Sequence, residues 1–169
     1  MTKLAQLKHP DPMHLKAAAG WIQLGDYDSA NEELEKIRAE WRAHPDVLDL
    51  RWFIYSHHEQ WDACLDIATA IVKTAPDRVW GWIHKAYALR RATGGGFENA
   101  KALLLEAAKL FPEDGMIQYN LACYCAQLGQ LDAAKEHLDK SYELGDAKQI
   151  KLMALDDDDL KPLWESEAK

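Results

Sequence analysis

Cysteine is scarce in this chain of 169 residues: three, at positions 64, 123 and 125. An odd number at no metal-binding spacing argues against a disulfide framework or a structural zinc site and fits a reducing compartment. Long apolar runs are missing too. No stretch approaches the ~20 apolar residues of a membrane span, and the opening MTKLAQLKHPDP holds no run long enough for a secretory signal. The expected location is the cytoplasm. Basic charge is in deficit, 20 Lys and Arg against 28 Asp and Glu for a net charge of -8. Long-range electrostatics therefore disfavour nucleic acid and anionic lipid as partners. Strand-like alternation bounded by hairpin signals is absent as well, so the fold class is all-α.

What is present describes an ordinary globular chain. Hydrophobic residues make up 48% and charged residues 28%, far from a disordered composition. A chain of this length buries roughly 70% of the surface its unfolded form exposes, enough to fold without staples. Seven Trp is a high number, and such side chains concentrate in cores and interfaces.

The stretch QLGDYDSANEEL at 23–34 returns as QLGQLDAAKEHL at 127–138. Aligning on the residue after the turn adds two members, so that Tyr27, Trp61, Phe97 and Leu131 stand 34, 36 and 34 residues apart. Three positions on come the small residues Ala30, Cys64, Ala100 and Ala134, then Leu34, Ala68, Leu104 and Leu138. Small residues let two helices joined by a short turn approach closely. Gly25 and Gly129 suit a left-handed helix end, and Pro45, Pro76 and Pro112 punctuate the exits. The spacing predicts helices over 12–24 and 27–43, 46–58 and 61–74, 78–92 and 97–110, 114–128 and 131–144, then a ninth over 146–155 and a short tail. Glu59 takes the glycine place in the second repeat, at a cost in strain or with different dihedrals.

This grammar resembles the tetratricopeptide-repeat (TPR) family over about residues 12–145. Trp21, Tyr55, Leu89 and Cys125 fall at its first-helix aromatic place, and Ala18, Trp52, Ala86 and Ala122 at its small-residue place, from which Trp52 departs. The resemblance implies a right-handed α-solenoid of antiparallel helix pairs. Residues 1–11 are then an N-terminal segment, 12–145 four helix pairs, and 146–169 a capping helix and tail. Ile150, Met153, Leu155, Leu163 and Trp164 are expected to cover the C-terminal end, and Leu4 and Leu7 the front.

The resemblance further implies an inner wall lined by first helices. Helical spacing puts Leu15, Ala19, Ile22 and Gln23 on that wall, then Asp49, Phe53, Ser56 and His57, then Trp80, Ile83, Tyr87, Arg90 and Arg91, and finally Met116, Tyr119, Cys123 and Gln127. Aromatics and Arg are the types that carry binding energy. The candidate peptide-binding residues are Asp49, Phe53, His57, Trp80, Ile83, Tyr87, Arg90, Arg91, Tyr119, Cys123 and Gln127. Each aromatic has a rival fate, packed between repeats or covered by the C-terminal helix. Arg90 and Arg91 suit an acidic ligand group. The Lys and Asn with which some family members clamp a terminal carboxylate are replaced by Leu15 and Ala19, although Asn120 stands nearby in the fourth repeat.

Other features carry little chemistry. The glycines at 94–96 lack P-loop partners and absorb the two extra residues of the third repeat. Adjacent His57 and His58 diverge by about 100° on a helix and Cys123 and Cys125 by about 200°, so neither pair grips one metal. Asp156 to Asp159 lack EF-hand spacing and are better placed to begin a helical turn. No catalytic triad is legible. The sequence therefore points to a non-enzymatic module without cofactor or metal, binding a peptide or helical segment of a partner protein as scaffold or adaptor. A dedicated chaperone of a secreted or assembly-prone client is the alternative, and exposed aromatics raise self-association.

Overall fold

The computed structural model describes residues 6–167, which hold ten helices and no strand. They are α1 (Asp11–Gln23), α2 (Tyr27–Glu35), α3 (Pro45–His57), α4 (Trp61–Thr74), α5 (Val79–Leu89), α6 (Phe97–Leu110), α7 (Gly115–Gln127), α8 (Leu131–Leu144), α9 (Ala147–Asp156) and α10 (Lys161–Glu167). Single 3-10 turns lie at Ala39–Trp41 and Asp158–Leu160. The chain divides into two compact units, 1–88 and 89–169.

In residues 1–88, Ala18 and Ala30 let α1 and α2 close on each other, and both are fully buried with Leu34, Val47 and Ile54 of the same core. Leu7, Leu15 and Ile22 pack against that core as well, so Leu15 and Ile22 serve the interior rather than an open wall. Leu4, expected beside Leu7, lies outside the described residues. A second cluster joins Trp52, Cys64, Ala68 and Ala88, and Gly81 lets α5 meet α4, where an added Cβ would stand 2.8 Å from Cγ2 of Ile71. Asp26 caps α2 by accepting from the Ser29 amide at 2.9 Å.

One predicted helix is shorter than expected. The second helix, read as 27–43, stops at Glu35, because polar side chains satisfy the backbone beyond it. The Arg38 amide donates to buried Asp11 at 2.9 Å, while Arg42 donates to the carbonyls of Glu35 and Ile37. The extra residues form the 3-10 turn at 39–41.

In residues 89–169, α7 is the central rod, with every residue from Leu121 to Ala126 buried. It packs against α6, α8, α10 and the 158–160 turn. The small residues Ala100 and Ala134 and the leucines Leu104 and Leu138 are buried here as their counterparts are in the first unit. Asp114 caps α7 through the Ile117 amide, and Asp146 caps α9 through the amides of Lys148 and Gln149.

The final stretch is more than one helix and a tail. After α9 the chain turns and adds α10, burying Ile150, Ala154, Leu160 and Leu163. Met153 and Leu155, expected to cover the end, are 38% and 71% exposed. Ile150 and Ala154 share a face at i and i+4, Leu155 points about 100° away from Ala154, and Met153, three positions after Ile150, sits at the edge of that face.

Candidate functional site

The inner-wall candidates fall into two groups with different surroundings. In residues 1–88, Phe53, Ser56 and His57 of α3 and Ile83, His84 and Tyr87 of α5 line a cavity of about 350 Å³, together with Trp52, Tyr27 and Trp61. Tyr27 and Trp61 are the repeated residues that open α2 and α4. The rings are ordered by stacking: Tyr27 lies 3.8 Å from His57 at 10°, and Trp52 lies 4.0 Å from His84 at 6°. Phe53 stands edge-on to both Trp52 and His84. Trp80 leans toward His84 at 6.1 Å. Phe53 and Trp80 remain 42% and 52% exposed, so neither is absorbed by a core.

Polar groups beside this cavity are incompletely satisfied. Among the described residues, Trp52 Nε1, His84 Nδ1 and Asp49 Oδ1 are buried without a hydrogen-bond partner. His84 Nδ1 and Asp49 Oδ1 face each other at 3.6 Å, too far for a hydrogen bond. The other Asp49 oxygen lies 4.0 Å from Arg78.

In residues 89–169 the candidates meet the chain's own C-terminal segment. The Tyr119 hydroxyl donates to Asp157 at 2.7 Å, and the Cys123 thiol points at the same oxygen at 3.6 Å. Gln127 donates to the Asp159 carbonyl at 2.9 Å. Arg90 pairs with the Asp159 carboxylate and lies over the rings of Phe97 and Tyr124 at 5.3 and 5.4 Å. The second Asp157 oxygen accepts from the Asp159 amide and so caps the turn it begins. Arg91 is half-buried. Neither arginine lies on a helix, since α5 ends at Leu89 instead of continuing to 92. The Leu89 carbonyl accepts from the Gly96 amide at 3.1 Å, which turns the chain into the glycine loop.

Burial pushes the Cys64 thiol up to about 11. It also raises Cys123, helped by Asp157 and Asp159, and Cys125. All three thiols stay protonated at neutral pH, in a weakly nucleophilic form. No group of three or more His, Cys, Asp or Glu side chains arranged to hold a metal occurs among the described residues.

No family model matches the sequence, and no curated protein does. Solved structures do match. A thermophilic TPR protein of Thermus thermophilus superposes with a TM-score of 0.76 at 20% identity, over 93% of this chain and 82% of that one. MamA of Desulfovibrio magneticus RS-1 gives 0.66 at 15% identity, over 95% and 92%. Yeast Tom70 gives 0.66 at 17% identity, over 95% of this chain and 37% of its own. The fold is that of the TPR solenoids.

In the TPR frame the cavity has a simple origin. Trp52 stands where the repeat uses a small residue, and its indole, 5% exposed, stacks on His84 and meets Phe53 and Tyr87 edge-on, so a ring stands where a methyl would. Sequence reasoning missed Tyr27, Trp52, Trp61 and His84 as lining residues: Tyr27 and Trp61 read as the repeated residues after the turns, and Trp52 only as a departure from the small-residue place. The signal available was the departure of Trp52 from the TPR pattern. No comparable signal marked His84.

Proposed function

We propose that this chain is an interaction module that docks a segment of a partner protein on the aromatic face of residues 1–88. One observation carries the reading: Phe53 and Trp80 stand exposed beside a cavity lined by rings, with no Lys or Arg among its lining residues. Exposed aromatics around a concavity are the usual anchors of protein recognition. The TPR fold is consistent with such a role, and the charge of -8 favours a protein partner over nucleic acid or membrane. The reading is of a binding protein and not an enzyme. It is narrower than the sequence expectation, because Arg90, Tyr119, Cys123 and Gln127 already engage the C-terminal segment.

The test is a Phe53→Ala, Trp80→Ala double variant. Both side chains are about half exposed and outside the buried core, so its helical circular dichroism is expected to match the native chain. Proteins captured by the immobilised native chain are expected to fall at least about tenfold with the variant, as for loss of two anchor residues. Equal capture by a folded variant removes the face from consideration.

A further inference from the structure

We propose that the seat of the C-terminal segment on α7 is a second docking site, which takes an acidic, leucine-bearing segment of a partner protein and is held closed by the chain's own copy of that ligand. The site lies wholly within residues 89–169 and is independent of the aromatic face of the first unit. The copy in place defines what the seat accepts. Tyr119, Cys123 and Gln127 stand at i, i+4 and i+8 on α7 and form one stripe. The Tyr119 hydroxyl and the Cys123 thiol both face one carboxylate oxygen of Asp157, and Gln127 meets the main chain at Asp159. Arg90, its side chain 6% exposed, pairs with the Asp159 carboxylate. Leu160 and Leu163 follow, both buried. Between these anchors, the side chains of Asp158 and Lys161 are 83% and 65% exposed. The accepted pattern is therefore Asp-x-Asp-Leu-x-x-Leu, with little demand at x.

A permanent cap would need no such polar matching. Leu160 and Leu163 already bury the apolar surface, and a buried ion pair adds little net stability because desolvation offsets the attraction. What the pair adds is discrimination, since a sequence lacking the carboxylate leaves Arg90 buried and unpaired. Four consecutive aspartates also repel one another more strongly when wound into the turn at 158–160 than in an extended chain, which favours release. The chain's charge of -8 opposes an acidic ligand only at long range, where salt screens it, whereas Arg90 acts in contact.

Fluorescence anisotropy of a labelled, capped peptide, Asp-Asp-Asp-Asp-Leu-Lys-Pro-Leu-Trp, the sequence of residues 156–164, tests the proposal on the full chain. The tethered copy competes at an effective concentration on the order of millimolar, so the native chain is expected to bind the peptide weakly. A full-length chain with Asp157→Asn and Asp159→Asn keeps the seat but loosens the copy, and is expected to bind at least about tenfold more tightly. Adding Arg90→Met to that chain leaves the copy loose but removes the seat's cation, and is expected to undo the gain. A peptide with Asn at its second and fourth positions is expected to bind at least about tenfold more weakly than the parent. Equal binding to the native and loosened chains, equal binding of the two peptides, or indifference to Arg90→Met overturns the proposal. Association of native with loosened chain in the absence of peptide binding also overturns it, by giving the seat to a second copy. Should the loosened chain lose its helical signal, the two peptides compared on the native chain at millimolar concentration decide the matter, and equal binding there rejects the site.

Discussion

Glu59 holds φ at 54°, the left-handed region, at the turn between α3 and α4 where other repeats use glycine. An L-residue there costs about 1–2 kcal/mol; glycine relieves that strain, and its greater freedom when unfolded cancels part of the gain. Glu59→Gly is expected to stabilise by about 1 kcal/mol and raise Tm by about 2–4 °C, read by thermal melts. Asp11 is the opposite case. The Arg38 side chain, hydrogen-bonded to it through Nε and Nη2, holds its carboxyl below the usual carboxylate range, against the opposing effect of burial. A lowered folded pKa gives stability that is present above the unfolded value, about 3.9, and is lost as pH falls through the folded value. Asp11→Asn is therefore expected to lower Tm at pH 7, with the gap to the native chain narrowing below about pH 4. A gap that is constant with pH would mean that the charge is unimportant.

At the scale of elements, repeat grammar told much and capping chemistry told less. Helices 61–74, 97–110 and 131–144 were readable to the residue, because each opens after a turn on the repeated aromatic or Leu and closes at a fixed distance. The early end of α2 was not readable, because it depends on Asp11 reaching Arg38 across 27 positions. The ninth helix was expected over 146–155 and is present as α9, but α10 escaped for a related reason: Asp156 to Asp159 read only as a favourable helix start, while the seat of Asp157 on Tyr119 is a tertiary contact. At the site, the exposed candidates Phe53 and Trp80 followed from helical phase, whereas His84 and the orphaned Asp49 oxygen required coordinates. The glycine loop after α5 gives a direct check. A Cβ on Gly95 would stand 1.7 Å from the Leu89 carbonyl oxygen, while one on Gly20 inside α1 would meet nothing within 4 Å. Gly95→Ala is expected to destabilise by about 1–3 kcal/mol and Gly20→Ala to stabilise by about 0.5–1 kcal/mol, measured by denaturant unfolding.

For the molecule as a whole, the C-terminal segment governs access to α7. Cys123 is 3% exposed beneath it, so its alkylation by iodoacetamide reports how often the segment lifts. Arg90→Met removes the partner of Asp159 and is expected to raise that rate severalfold, read by mass spectrometry, while Cys64 is unchanged. The sign is informative: Arg90 lowers the Cys123 pKa, so losing it makes the thiol intrinsically less reactive, and faster labelling then means opening. An unchanged rate would show that Leu160 and Leu163 hold the segment without the ion pair.

Tryptophan is distributed unevenly between the two units. Trp21, Trp41, Trp52, Trp61, Trp80 and Trp82 belong to the first, and Trp164 alone to the second. Near-ultraviolet emission from the unlabelled protein is therefore governed by the ring-lined half. A chain with Trp164→Phe would carry its dyes only there, turning the interior walls of the cavity into an optical gauge of its own occupancy.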